Sequence, residues 1–131
     1  MCRQEVTEPP SPEDGAEEVC RLLRLHRFQC SRELELQQAV AMVFTEAKLP
    51  FVREKHLSRK DRPDFVVYGS IAVELKIDGS LTEIMRQVSR YAQQSEIRVV
   101  ILVTTRAMHA LQMPGEFCGK PVRVVHLGAF F

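Results

Sequence analysis

Apolar positions along this chain follow three rhythms, and each rhythm predicts a different element. A helical period runs through Val19, Leu22, Leu23 and Leu25, which predicts a short helix over 16–28. It returns in "RELELQQAVAMVFTEAK", where Leu36, Ala39, Val40, Val43, Phe44 and Ala47 form one stripe. Ser31 stands ready as its cap and Pro50 as its stop. The third helical stretch, "LTEIMRQVSRYAQQ" over 81–94, sets Leu81, Ile84, Met85, Val88 and Ala92 on one face. A two-residue alternation marks "FVREKHL" over 51–57 as a half-buried strand, and it marks two runs that meet at Gly69-Ser70 as a hairpin. "RVVILVTT" over 98–105 is apolar throughout, the sign of a central strand covered on both faces. "RAMHALQM", ended by Pro114 and Gly115, predicts a short helix, and "PVRVVHL" over 121–127 a last strand. The core order is α-β-β-β-α-β with one helix and one strand appended.

The alternation breaks inside the hairpin. In "IAVELKI", residues Ile71, Val73, Leu75 and Ile77 line one face, so Ala72, Glu74 and Lys76 project from the other. Asp64, Val66 and Tyr68 share a face of the preceding strand. A strict two-residue Gly69-Ser70 turn would set Asp64 opposite Leu75, with its carboxylate on the wrong face. Convergence of Asp64 and Glu74 therefore demands an odd loop, such as Tyr68-Gly69-Ser70, or a bulge. Gly69 supplies the backbone freedom for either. Two carboxylates so placed offer hard oxygen ligands to Mg²⁺ or Mn²⁺, and an ammonium beside them suits a reaction that develops negative charge on phosphate.

"PDF…VELK" resembles the core of the PD-(D/E)xK nuclease superfamily, Pro63-Asp64 and Glu74-Leu75-Lys76 matching its motif. "QVSRY", Gln87 to Tyr91, is similar to the Q-x-x-x-Y motif of its RecB-like branch. The resemblance covers about residues 31–127 and implies a restriction-endonuclease-like α/β fold, with a mixed central sheet flanked by helices. It also implies a metal-dependent deoxyribonuclease: Asp64 and Glu74 on Mg²⁺ or Mn²⁺, Lys76 at the attacking water, Gln87 and Tyr91 supporting the site. The family adds a first-helix carboxylate, for which Glu33 and Glu35 both stand. On a helical wheel Glu33 lies about 60° from Leu36 and Glu35 about 100° away on the other side, which favours Glu33. A lone domain of this family cuts one strand per site, so cutting two would take a homodimer. A catalytically silent nucleic-acid or protein-binding module is the rival reading, and an RNA-directed nuclease another.

Charge adds to this picture. The net charge of +1 over 131 residues conceals an acidic start: residues 1–20 hold one basic and six acidic side chains, and the remainder 17 basic and 11 acidic. The surplus suits a polyanionic partner such as DNA. Arg59, Lys60 and Arg62 form a basic loop just before Asp64, and Arg86 and Arg90 lie one turn apart on the third helix; all five are candidate phosphate contacts. Residues 1–15, rich in Pro, Glu and Ser, are expected to be a disordered acidic tail, which leaves a single domain over 16–131. Cys2, Cys20, Cys30 and Cys118 are scattered and read as free thiols in a reducing, cytoplasmic setting. No apolar run approaches the ~18–20 residues of a membrane helix, and no signal sequence or glycine-rich cofactor loop is visible, so neither a membrane nor an organic cofactor is expected.

Overall fold

Strand β4 (Val99–Thr104) is buried at every residue and forms the spine of the molecule, as its unbroken apolar run requires. The computed structural model describes residues 8–128. On one side β4 pairs in parallel with β3 (Ile71–Lys76), which pairs antiparallel with β2 (Phe65–Val67), which in turn pairs antiparallel with β1 (Phe51–Arg53). On the other side it pairs in parallel with β6 (Lys120–His126), whose outer edge carries the short antiparallel β5 (Glu116–Phe117). The result is a mixed six-stranded sheet, ordered β1-β2-β3-β4-β6-β5.

Helices cover both faces. Helix α1 (Pro12–Leu25) and α2 (Glu33–Glu46) pack on the face formed by Phe65, Val67, Ile71, Val73, Leu75, Val99, Ile101 and Val103. Helix α3 (Leu81–Gln93) covers the opposite face of Val66, Ala72, Val100, Leu102 and Val122. It links β3 to β4, the crossover that two parallel neighbours need. Ser80 caps α3 by accepting from the Glu83 amide at 3.2 Å. The short α4 (Ala107–Gln112) follows β4. Phe44 of α2 meets Phe51 and Phe65 edge-on, with ring centroids 5.7 and 5.2 Å away, an arrangement that fixes α2 against β1 and β2. The α/β architecture expected from the sequence is what the structure has, and it fits a restriction-endonuclease-like fold. No helix among the described residues is long and apolar enough to cross a membrane. Cys20, Cys30 and Cys118 are unpaired, and Cys2 lies outside the described residues.

Several elements depart from the sequence pattern. Helix α1 begins at Pro12, inside the segment expected to be a disordered tail, with Ser11 accepting from the Asp14 amide. Residues 1–7 of that tail lie outside the described residues. Gly15 argues against helix locally, but a Cβ there would lie 2.9 Å from Ile71 Cδ1 and 3.1 Å from the Tyr68 ring. Close packing of α1 on the hairpin, not helix propensity, selects glycine. Ser31 makes no cap; α2 starts after Arg32 without a side-chain cap and ends at Glu46, with Lys48 turned into the left-handed region at φ 58° before Pro50. The strand expected over 51–57 stops at Arg53, where Glu54 takes φ 50° and its amide reaches the Asp64 carbonyl at 3.0 Å. β5 was too short to leave a pattern.

Candidate active site

The β2–β3 hairpin pairs Val67 with Ile71, Val66 with Ala72 and Phe65 with Val73, so Asp64 falls opposite Glu74. The loop is Tyr68-Gly69-Ser70, the odd count that convergence demands. Tyr68 and Gly69 both hold positive φ, 52° and 71°, and the Ser70 amide closes the turn on the Val67 carbonyl at 3.2 Å. The turn carries Tyr68 over to the α1 side, away from the face of Val66, and its hydroxyl donates to Glu18 at 3.0 Å.

Asp64 is held from two directions. The Leu75 amide donates to its Oδ2 at 2.7 Å, and Gln37 Nε2 from α2 donates to its Oδ1 at 2.9 Å. Gln37 is fixed in turn by Arg53 Nη2, which donates to its Oε1 at 2.6 Å. Glu74 is held from the α3 side. The Tyr91 hydroxyl donates to its Oε1 at 2.9 Å, Lys76 Nζ lies 3.3 Å from its Oε2, and the Asp64 amide approaches Oε1 at 3.4 Å. Burial pushes the Asp64 carboxyl above the ordinary aspartate range, against the Leu75 and Gln37 hydrogen bonds. Burial, then the Asp64 charge, push Glu74 up to about 7, against Lys76 and Tyr91. The Tyr91 phenol is pushed far upward, first by burial and then by Glu74, so it remains a donor at any working pH.

The α2 carboxylates separate clearly. Glu33 Oε1 accepts from the Ile77 amide at 3.1 Å, at the end of β3, and its charge is felt at Asp64. Glu35 turns outward toward Arg32 at 4.0 Å. Glu33 is thus the carboxylate beside the site, although among the described residues no group of three or more His, Cys, Asp or Glu side chains comes together as a metal cluster. The Asp64–Glu74 pair itself has the donor chemistry of a divalent-cation site: two carboxylates opposite each other, Asp64 half-buried and Glu74 buried, both with proton affinity raised first by desolvation.

Lys76 opens onto a cleft of about 370 Å³, walled by Glu83, Arg86, Gln87 and Arg90 of α3. Gln87 is half-buried in that wall, whereas Tyr91, one turn on, is fully buried under Glu74. The two candidate α3 residues therefore do different things. The basic candidates also divide. Arg86 is exposed on the cleft wall, and Arg59 and Lys60 are exposed in their loop. Arg62 lies 3.9 Å from Glu54. Arg90 is exposed as its position implied, but it is also ion-paired, since its Nε donates to Asp61 at 2.8 Å. Asp61 is 5% exposed and also accepts from Ser58 Oγ at 3.0 Å and Gln94 Nε2 at 3.3 Å. These bonds pin the basic loop to α3 just ahead of Asp64.

Asp61 and Gln37 escaped the sequence reading. A signal existed for each: Asp61 is the one acid inside "SRKDR", and Gln37 interrupts the Leu36–Val40–Phe44 stripe one turn after Glu33.

A family model of the PD-(D/E)XK nuclease superfamily matches residues 26–113, which span α2 through α4 and hold the whole carboxylate site. The chain belongs to this superfamily. No curated protein and no solved structure matches it. Asp64, Glu74 and Lys76 lie within the matched span, while α1 and the β5–β6 hairpin lie outside it.

Proposed function

We propose that this protein is a divalent-metal-dependent nuclease that hydrolyses DNA phosphodiester bonds at the Asp64–Glu74–Lys76 site. The observation that carries the reading is the hairpin register: an odd loop sets Asp64 opposite Glu74 and leaves Lys76 on the same face, opening onto a cleft with arginines on its wall. A sheet needs no such arrangement for stability, since burying two carboxylates together is unfavourable.

Asp64 and Glu74 would hold Mg²⁺ or Mn²⁺, with Glu33 as the third carboxylate. The metal supplies charge stabilisation at the phosphate and a more acidic bound water. Gln37 and the Leu75 amide orient Asp64, while Tyr91 orients Glu74. Lys76 Nζ orients the attacking water and neutralises charge at phosphorus as water attacks in line, leaving a 5′-phosphate and a 3′-hydroxyl. Gln87 lines the cleft beside it and contacts the scissile strand. Arg59, Lys60, Arg62 and Arg86 contact backbone phosphates, and Arg90 joins them through the guanidinium nitrogens that Asp61 leaves free. Two copies would be needed to cut both strands. Three unpaired cysteines support a reducing, cytoplasmic setting.

The test is nicking of supercoiled plasmid with Mg²⁺ or Mn²⁺, beside an EDTA control and Lys76→Ala. Cleavage should vanish with EDTA and fall at least about 100-fold in the variant. A wild type silent on supercoiled, linear and branched DNA with both metals would defeat the reading in favour of a binding module. Faster cutting of matched RNA than DNA oligonucleotides would move the substrate to RNA.

A further inference from the structure

A second groove of about 610 Å³ lies on the outer flank of α3, between that helix and β5. Met85 and Phe117 line it, both half-buried against the apolar cluster beneath α3. Arg86 and Arg90 line this groove and the Lys76 cleft alike, so the two hollows share a ridge of two guanidinium groups. Its remaining lining is hydroxyl and amide, with no carboxylate among its lining residues. The β5 wall is firmly placed, because Lys120 Nζ from the adjacent strand donates to the Gln94 carbonyl at the end of α3 at 2.8 Å. The groove is therefore a built surface and continues the cleft.

Phosphate contacts alone do not account for it. A duplex backbone crossing α3 would be satisfied by the arginines, with no use for an aromatic and a thioether behind them. An unstacked nucleobase offers what fits: a flat apolar face for Phe117 and Met85, joined to a phosphate that meets Arg86. A helix or strand from another protein would cover the apolar floor equally well, but Arg86, exposed on the shared ridge, and a lining without carboxylates favour a polyanion. We infer that the Met85–Phe117 groove receives an unpaired base of the DNA strand whose backbone lies in the Lys76 cleft, so that this protein prefers DNA with a single-stranded segment beside the cut. The inference rests on the proposed nuclease reading of that cleft for its orientation, though not for its binding chemistry.

Fluorescence anisotropy in EDTA, which reads binding without cleavage, tests it on a labelled thymidine 15-mer and a blunt 15-bp duplex. The wild type should prefer the single strand. Phe117→Ala should weaken single-strand binding roughly 5- to 100-fold, the range for losing one aromatic stacking platform, and duplex binding less than about twofold. Phe117→Trp should retain the preference, and Met85→Ala should lower it less. Were Phe117→Ala poorly folded by circular dichroism, the tryptophan and Met85 variants would carry the comparison. Equal loss on both DNAs, or no loss on either, overturns the proposal. So does concentration-dependent self-association of the wild type that Phe117→Ala abolishes, which would mark the groove as a contact between copies. Plasmid nicking separates the two readings: an inert site with intact single-strand preference defeats the nuclease alone, and active nicking without that preference defeats the groove alone.

Discussion

The two carboxylates of the site are opposite each other in one hairpin yet live in different surroundings. Asp64 is held on the α2 side by neutral donors, the Leu75 amide and the Gln37 carboxamide. Glu74 is held on the α3 side by a phenol and an ammonium, more deeply buried, and it alone is raised to about 7. Desolvation and the Asp64 charge outweigh Lys76 there. Burial raises both carboxyls, so the difference lies in their partners: neutral donors for Asp64, a phenol and a cation for Glu74.

Removing each charge in turn breaks the comparison most sharply. Asp64→Asn and Glu74→Gln should both lower cleavage by about 10³-fold or more, and each trades a desolvated charge for a mismatched carboxamide. Asp64 accepts through both of its oxygens, from the Leu75 amide and from Gln37, whereas a carboxamide has one acceptor oxygen and one NH₂. The Asp64→Asn change therefore sets donor against donor on one side and should cost about 1–3 kcal/mol. Glu74→Gln likewise sets its NH₂ against Tyr91 or Lys76, but above neutral pH it also removes a desolvated charge, so its stability relative to wild type should rise with pH. A carboxyl whose folded pKa is raised from 4.5 to about 7 carries no penalty below 4.5, where both states are protonated, and the full penalty above 7. Between pH 4 and pH 8 the stability difference should change by on the order of 3 kcal/mol, read as the Tm difference from wild type across that range. A pH-independent difference would mean that Glu74 is not strained.

A smaller effect is expected where only a neutral support is lost. Gln37→Leu keeps the volume but leaves Asp64 Oδ1 and Arg53 without their partner. Cleavage should drop about 10- to 100-fold, the usual consequence of losing a group that orients a metal ligand, and apparent affinity for Mn²⁺ should fall with it. Unchanged metal affinity would reduce Gln37 to a packing residue.

Tyr91→Phe, the counterpart on the α3 side, should give the mildest change. Lys76 still faces Glu74, so cleavage at pH 8 should fall only a few-fold. Without the phenol hydrogen bond Glu74 holds its proton more tightly, and the acid limb of the rate profile should move up by about one pH unit. A profile that keeps its shape would show that the phenol does not tune this carboxyl.

The chain announces what is local and conceals what depends on a distant partner. The apolar rhythms of α2, α3 and β4, and the loop parity of the hairpin, are properties of neighbouring residues, and they carried the fold and the meeting of Asp64 with Glu74 and Lys76. The start of α1 was hidden because Gly15 answers to Ile71 and Tyr68, far along the chain. Arg90 reads as a free surface cation until the chain brings Asp61 to it from 29 positions away. Gln37 looks like a flaw in a stripe until Asp64 and Arg53 are folded around it. Between Glu33 and Glu35 the wheel gave only a lean; the Ile77 amide at the end of β3 separates them.

The three-residue hairpin loop also sets a rule for lengthening or shortening this part of the chain. If the loop stays at three residues, deleting or inserting one residue between Val67 and Ile71 would exchange the faces of β3, turning Leu75 toward the cleft and Glu74 into the α1–α2 core. A change of two restores the order. Chain edits here are thus graded by evenness rather than by size, and a two-residue insertion would do less harm than a one-residue deletion.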